Sequence, residues 1–137
     1  MTTLFHQLFS EDAIYSCIIE DDGRVAYAYL MEGKEMIGNL WLYNQEATPA
    51  VDAWREDRGT LPYLNSARYV DAQLMLKPLE TPGEVEVVWE YRPNGRLHML
   101  HLILRGTHYG VLAPHVKPGW TVAASQDGPL AQHLAGN

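Results

Sequence analysis

The chain has 137 residues, 47% apolar and 20% charged, with a formal net charge of −7. That length suits one compact domain with its own core, and the balance of apolar to charged residues excludes a disordered chain. Its ten Lys and Arg are few and scattered, whereas phosphate contacts draw on clustered cations, so nucleic acid is not expected as a partner.

Residues 13–20, rich in Ile, Tyr and Cys, read as a strand. Asp21, Asp22 and Gly23 then form a three-residue hairpin loop with the glycine left-handed. From 24 to 31, Val25, Tyr27, Tyr29 and Met31 alternate with Ala26, Ala28 and Leu30. One face is bulky and the other small, as if a neighbouring layer lies close to the alanines. After a turn at Gly33, a third strand covers 35–43. Gly38 within it marks a bulge or a close backbone approach.

The middle differs in kind. Thr48 as N-cap, Pro49 at the first position and Gly59 past the end predict a short helix, with Val51 and Trp54 on its inner face. Residues 66–76 fit either a helical face (Ala67, Val70, Leu74) or an extra strand. Pro78 and Pro82 close this insert. Residues 84–91 alternate Val85, Val87, Trp89 and Tyr91 with glutamates, one face buried and one wet. Pro93 lacks the N–H that a two-residue Asn-Gly loop would place in the ladder, so Pro93, Asn94 and Gly95 make a type I turn followed by a left-handed glycine. Residues 97–104, apolar on both faces, read as a central strand. A turn at 106–110 leads into 111–113, a last strand covers 120–125, and a helical turn falls near 129–134.

Two of these stretches share a layout. At an offset of about 72 positions, Gly23, Arg24, Leu30, Gly38 and Leu40 meet Gly95, Arg96, Leu102, Gly110 and Leu112. The fold expected is mainly β: two packed antiparallel sheets, as a sandwich or strongly curled half-barrel, of about seven or eight strands. The single domain over 1–137 divides into a first meander (12–44), a helix and loop insert (45–83), a second meander (84–116) and a last strand and tail (117–137).

The candidate site residues are weak signals. Tyr27, Tyr29, Trp41 and Tyr43 are three things at once on paper: sandwich core, recognition surface or the lining of a ligand cavity. Trp54, Arg55 and Arg58, with Tyr63 following, make a charged aromatic loop suited to an anion or a partner, or simply the solvated face of a short helix. His98, His101, His108 and His115 cluster in sequence, but on a regular strand His98 and His101 face opposite sides unless a bulge intervenes. His101 and His108 are the only candidates for a shared metal, across the Gly106 turn, and two ligands do not complete a site. Neither a nucleophile elbow nor a Gly-rich phosphate loop is present. No catalytic residue and no cofactor is therefore assigned.

Cys17 is the sole cysteine, which forbids an intrachain disulfide and suits a reducing compartment. The first ten residues have neither a basic patch nor a long apolar run, so no signal peptide is read, and no apolar stretch nears the roughly 20 residues of a membrane span. A soluble cytoplasmic protein without membrane contact is expected. No motif assigns a family. The leading expectation is an acidic module that binds another protein, in an adaptor or immunity-like role. The alternatives are a small-molecule binder with a Tyr/Trp-lined cavity and, less favoured, an enzyme using the Arg55/Arg58 loop or the 98–115 histidines. A homodimer is allowed but not required, through a sheet edge after Ala113.

Overall fold

Period-two patterning along the chain resolves into nine strands in the computed structural model, which describes residues 3–50 and 63–135. They are β1 (Leu4–Phe9), β2 (Tyr15–Asp21), β3 (Val25–Glu32), β4 (Glu35–Asn44), β5 (Val85–Tyr91), β6 (Leu97–Leu104), β7 (Thr107–Ala113), β8 (Val116–Thr121) and β9 (Gln132–His133). The first four form one antiparallel sheet in chain order. The other five form a second sheet, also in chain order, with only β8 and β9 parallel. Two packed sheets of a mainly β domain are what the patterning implies.

The repeated layout is carried into three dimensions. β3 and β6 are each eight residues long and occupy equivalent positions of the two meanders. Ala28 pairs with Leu40 and Leu30 with Gly38, as Leu100 pairs with Leu112 and Leu102 with Gly110. The reason for the two glycines lies between the sheets. A Cβ on Gly110 would stand 2.8 Å from Leu40 Cδ2, and a Cβ on Gly38 would stand 3.5 Å from Leu112 Cδ2. Each Gly-x-Leu step therefore seats its leucine over the glycine of the other copy, letting two twisted sheets approach closely. Around this interlock Cys17, Ile19, Ala28, Leu30, Leu100, Leu102 and Leu104 are fully buried.

The second hairpin closes as its sequence requires: Gly95 N–H donates to Arg92 O at 2.9 Å, with Gly95 at φ 84°. The first does not share that closure. Asp22 N–H meets Val25 O at 3.3 Å, and the Asp22 carboxylate accepts from the N–H groups of Arg24 and Val25. A side chain thus replaces a backbone carbonyl, leaving Gly23-Arg24 as the loop.

The insert is tied down by polar groups. Asn44 Oδ1 accepts from Trp41 Nε1 and Asn65 N, while its Nδ2 donates to Asn65 O and Thr48 Oγ1. Tyr109 Oη donates to Leu42 O at 2.6 Å and accepts from Leu76 N, bonding both sheets and the insert. Arg105 donates to Glu84 Oε1 and to the carbonyls of Lys77 and Pro78, pinning the end of the insert to the β6–β7 hairpin.

Several expectations change. β1 precedes the first meander and β9 follows the last, so the strands among the described residues number nine. Helical structure among the described residues is limited to two 3-10 turns, Ala67–Tyr69 and Pro82–Glu84. The helix expected over 48–59 falls mostly outside the described residues. Segment 66–76 is neither helix nor strand throughout: a 3-10 turn leads to an isolated bridge between Val70 and Ala124. The last long strand is Val116–Thr121 rather than 120–125. Pro118 is accommodated because the β7–β8 register is broken between Val111 and Ala113, where a missing N–H removes no ladder bond. The segment near 129–134 forms β9 instead of a helical turn. The edge expected after Ala113 is not free, since β7 lies between β6 and β8 and His115 N–H donates to Ile37 O at 2.8 Å.

Candidate functional site

The expected site residues separate by burial. Trp41 and Tyr43 are fully buried and Tyr27 nearly so. Tyr27 Oη donates to Tyr63 O at 2.8 Å, and its ring stacks on half-buried Tyr29 at 6.0 Å. Tyr43 Oη donates to Asp21 Oδ2 at 2.5 Å and accepts from Leu79 N. Burial pushes the phenols of Tyr27, Tyr43 and Tyr109 far above their ordinary range, with the bond to Asp21 adding to the effect at Tyr43. These tyrosines are structural donors in the core. Tyr63, half-buried, takes part through its carbonyl. Trp54, Arg55 and Arg58 lie outside the described residues.

His98, His101 and His108 come together, because of two register shifts, while His115 sits in the β7–β8 turn. Between β5 and β6, Glu90 pairs with Met99 and Tyr91 with Leu97, so His98 is the extra residue of a bulge. It turns toward the side His101 occupies: His98 Nε2 lies 3.6 Å from Glu90 Oε2, and His101 Nε2 lies 2.8 Å from Glu90 Oε1. Between β6 and β7, Leu102 pairs with Gly110 but Ile103 with His108, which brings His108 Nε2 to 3.0 Å from His101 Nδ1. A carboxylate only accepts, so His101 Nε2 carries the proton. In the neutral ring its Nδ1 then accepts from His108. The bond from His101 is the largest cause holding the Glu90 carboxyl below its usual range. His101 spends both ring nitrogens on these bonds. Among the described residues, no group of three or more His, Cys, Asp or Glu has an arrangement that could hold a metal ion.

Beside this cluster is a free sheet edge. Among the described residues β5 is paired on one side only. The bond from Arg105 N to Glu84 O sets the alternation of the antiparallel ladder, so Glu86, Val88 and Glu90 bond to β6 while the backbone groups of Val87 and Trp89 point away from it. They face a cleft of about 670 Å³ lined by Glu11, Asp12, Val87, Val88, Trp89, Tyr91 and Gly95. Val88 is 53% exposed and Tyr91 40%, and Trp89 packs behind them near Tyr15, with ring centroids 6.5 Å apart. Glu11, Asp12, Glu86 and Glu90 give this edge a negative surround. Sequence reasoning missed it, although the Val-Glu alternation of β5 was its signal; being an edge strand is a property of topology. No helix among the described residues is long and apolar enough to cross a membrane. Compared with known proteins, the chain matches no protein-family model, and neither a curated protein nor a solved structure matches it significantly.

Proposed function

We propose that this protein is an interaction module that binds an extended, basic segment of another protein as an added strand along β5. The observation that carries the reading is the outward backbone of Val87 and Trp89 facing a cleft with exposed Val88 and Tyr91 and the acids Glu11 and Asp12. Strand addition draws affinity from main-chain hydrogen bonds and specificity from alternate side chains. Here Val88 offers an apolar contact, and Glu86 and Glu90 on the same face favour Lys or Arg opposite them. An adaptor or immunity-like role in the cytoplasm is consistent with the acidic charge and the single cysteine.

The test is a synthetic heptapeptide alternating Val and Lys, titrated while Trp89 fluorescence is followed. Saturable binding is expected, weakened by salt and abolished by Val87→Pro, which deletes an outward N–H and leaves the β6 ladder intact. Equal binding of a Val and Glu peptide, or binding indifferent to Val87→Pro, overturns the reading. A second reading is supported by the Glu90–His101–His108 relay, a geometry suited to a general base at His108. It expects an activity lost in His101→Gln, and retention of that activity rejects it.

A further inference from the structure

Among the described residues β1 is likewise paired on one side only, and this edge differs from β5 in chemistry. Ser10 N–H donates to Tyr15 O, which fixes the β1–β2 alternation, so the backbone groups of Phe5, Gln7 and Phe9 point away from β2. The side chains of Phe5 and Phe9 are 63% and 59% exposed, the two highest exposures among the large apolar residues described. Within its own sequence β1 lacks the usual edge-blunting devices: it has no Lys, no Pro, no Asp or Glu, and no break in its register with β2.

We propose that two copies of this chain pair antiparallel through β1, joining their four-stranded sheets into one of eight strands. The occupant is a second copy because the strand is complementary to itself. With Gln7 facing Gln7 on the two-fold axis, Phe5 of each copy stands opposite Phe9 of the other, and His6 opposite Leu8. About six backbone hydrogen bonds form in this register, three residues from each copy contributing N–H and C=O. No like charges meet, in a chain whose net charge is −7. The two-fold register that overlaps the whole of β5, centred on Val88, sets Glu86 against Glu90, which is repulsive. In its full-length register electrostatics therefore disfavours self-pairing on β5, whereas β1 meets no such repulsion. Cross-strand contact of the four rings, on the outer face of the joined sheet, removes part of their aromatic surface from water. With the strand backbones the contact falls at the small end of specific interfaces, about 1,000 Å². The dimer is accordingly one that dissociates in the micromolar range.

Sedimentation equilibrium of the whole chain over about 1–500 μM, a window set by that interface size, reads the monomer–dimer constant. The expected result is a reversible dimer, with Phe5→Lys plus Phe9→Lys raising the dissociation constant at least tenfold while circular dichroism and the thermal midpoint stay near wild type. Gln7→Cys serves as an independent arm: under mild oxidant it cross-links two copies, since opposed residues at a two-fold ladder position meet disulfide geometry and Cys17 is buried. A monomer at every concentration, a dimer indifferent to the Phe5 and Phe9 changes, or a dimer broken by Val87→Pro instead overturns the proposal. So does failure of Gln7→Cys to cross-link.

Discussion

Placing a methyl group at position 110 probes the interlock between the sheets. The Cβ of Gly110→Ala would stand 2.8 Å from Leu40 Cδ2, 3.1 Å from Trp120 O and 3.5 Å from Leu102 Cδ1. Leu40 is fully buried, and Trp120 belongs to β8, whose ladder with β7 restrains its carbonyl. Neither neighbour yields freely, so the change is one of overpacking and costs about 2 kcal/mol, within the usual range of about 1–3. For a chain of this size the thermal midpoint falls by about 5–10 °C. Leu40→Ala alone leaves a cavity and costs about 2–5 kcal/mol. In the double variant the new methyl occupies space that Leu40 vacated, so the two costs sum to less than additivity by about 1 kcal/mol or more. Urea unfolding followed by tryptophan fluorescence measures all four states of the cycle. Gly38→Ala is the control: its closest approach is 3.1 Å, to Leu30 Cβ, and its contacts with the other sheet are ordinary at 3.5 Å, so it costs about 1 kcal/mol or less. Additive energies, or a Gly38→Ala cost above that of Gly110→Ala, would refute the interlock.

Other consequences are testable with the same material. Tyr109→Phe strips Leu42 O and Leu76 N of their shared partner in a buried setting, so stability falls by about 1–3 kcal/mol with the fold retained, as chemical denaturation will read. Glu84 is held down to about 2 by the N–H of Thr81 first and by Arg105 next. Its folded value lies below the unfolded one near 4.5, so its contribution is present above pH 4.5 and is lost as pH falls toward 2. Glu84→Gln is accordingly expected to flatten that acid limb, and an unchanged pH profile contradicts the assignment. Burial pushes the Cys17 thiol up to about 12. Labelling by a thiol reagent should therefore proceed only at the rate of unfolding, and rapid labelling of the native protein would show Cys17 to be accessible.

What the residues determine on their own is the periodicity and the turns. Val-Glu alternation in β5, the small face of Ala26 and Ala28, and the unbroken apolar run of β6 follow from which side chains tolerate water on one face, both faces or neither. Pro93 settles its own turn, because a missing N–H is a local fact. β1 was equally within reach, since Leu4, His6 and Leu8 alternate with Phe5, Gln7 and Phe9 ahead of the Ser10 turn; both of its faces carry apolar residues, which blurs the pattern. Only tertiary structure decides which strands are edges, because that depends on pairing partners far along the chain. It likewise decides that Trp41 and Tyr43 are core. The histidine cluster shows the limit most clearly. His98 and His101 face apart on a regular strand, and the bulge that unites them at Glu90 arises from register against β5, a constraint that no local stretch of sequence contains.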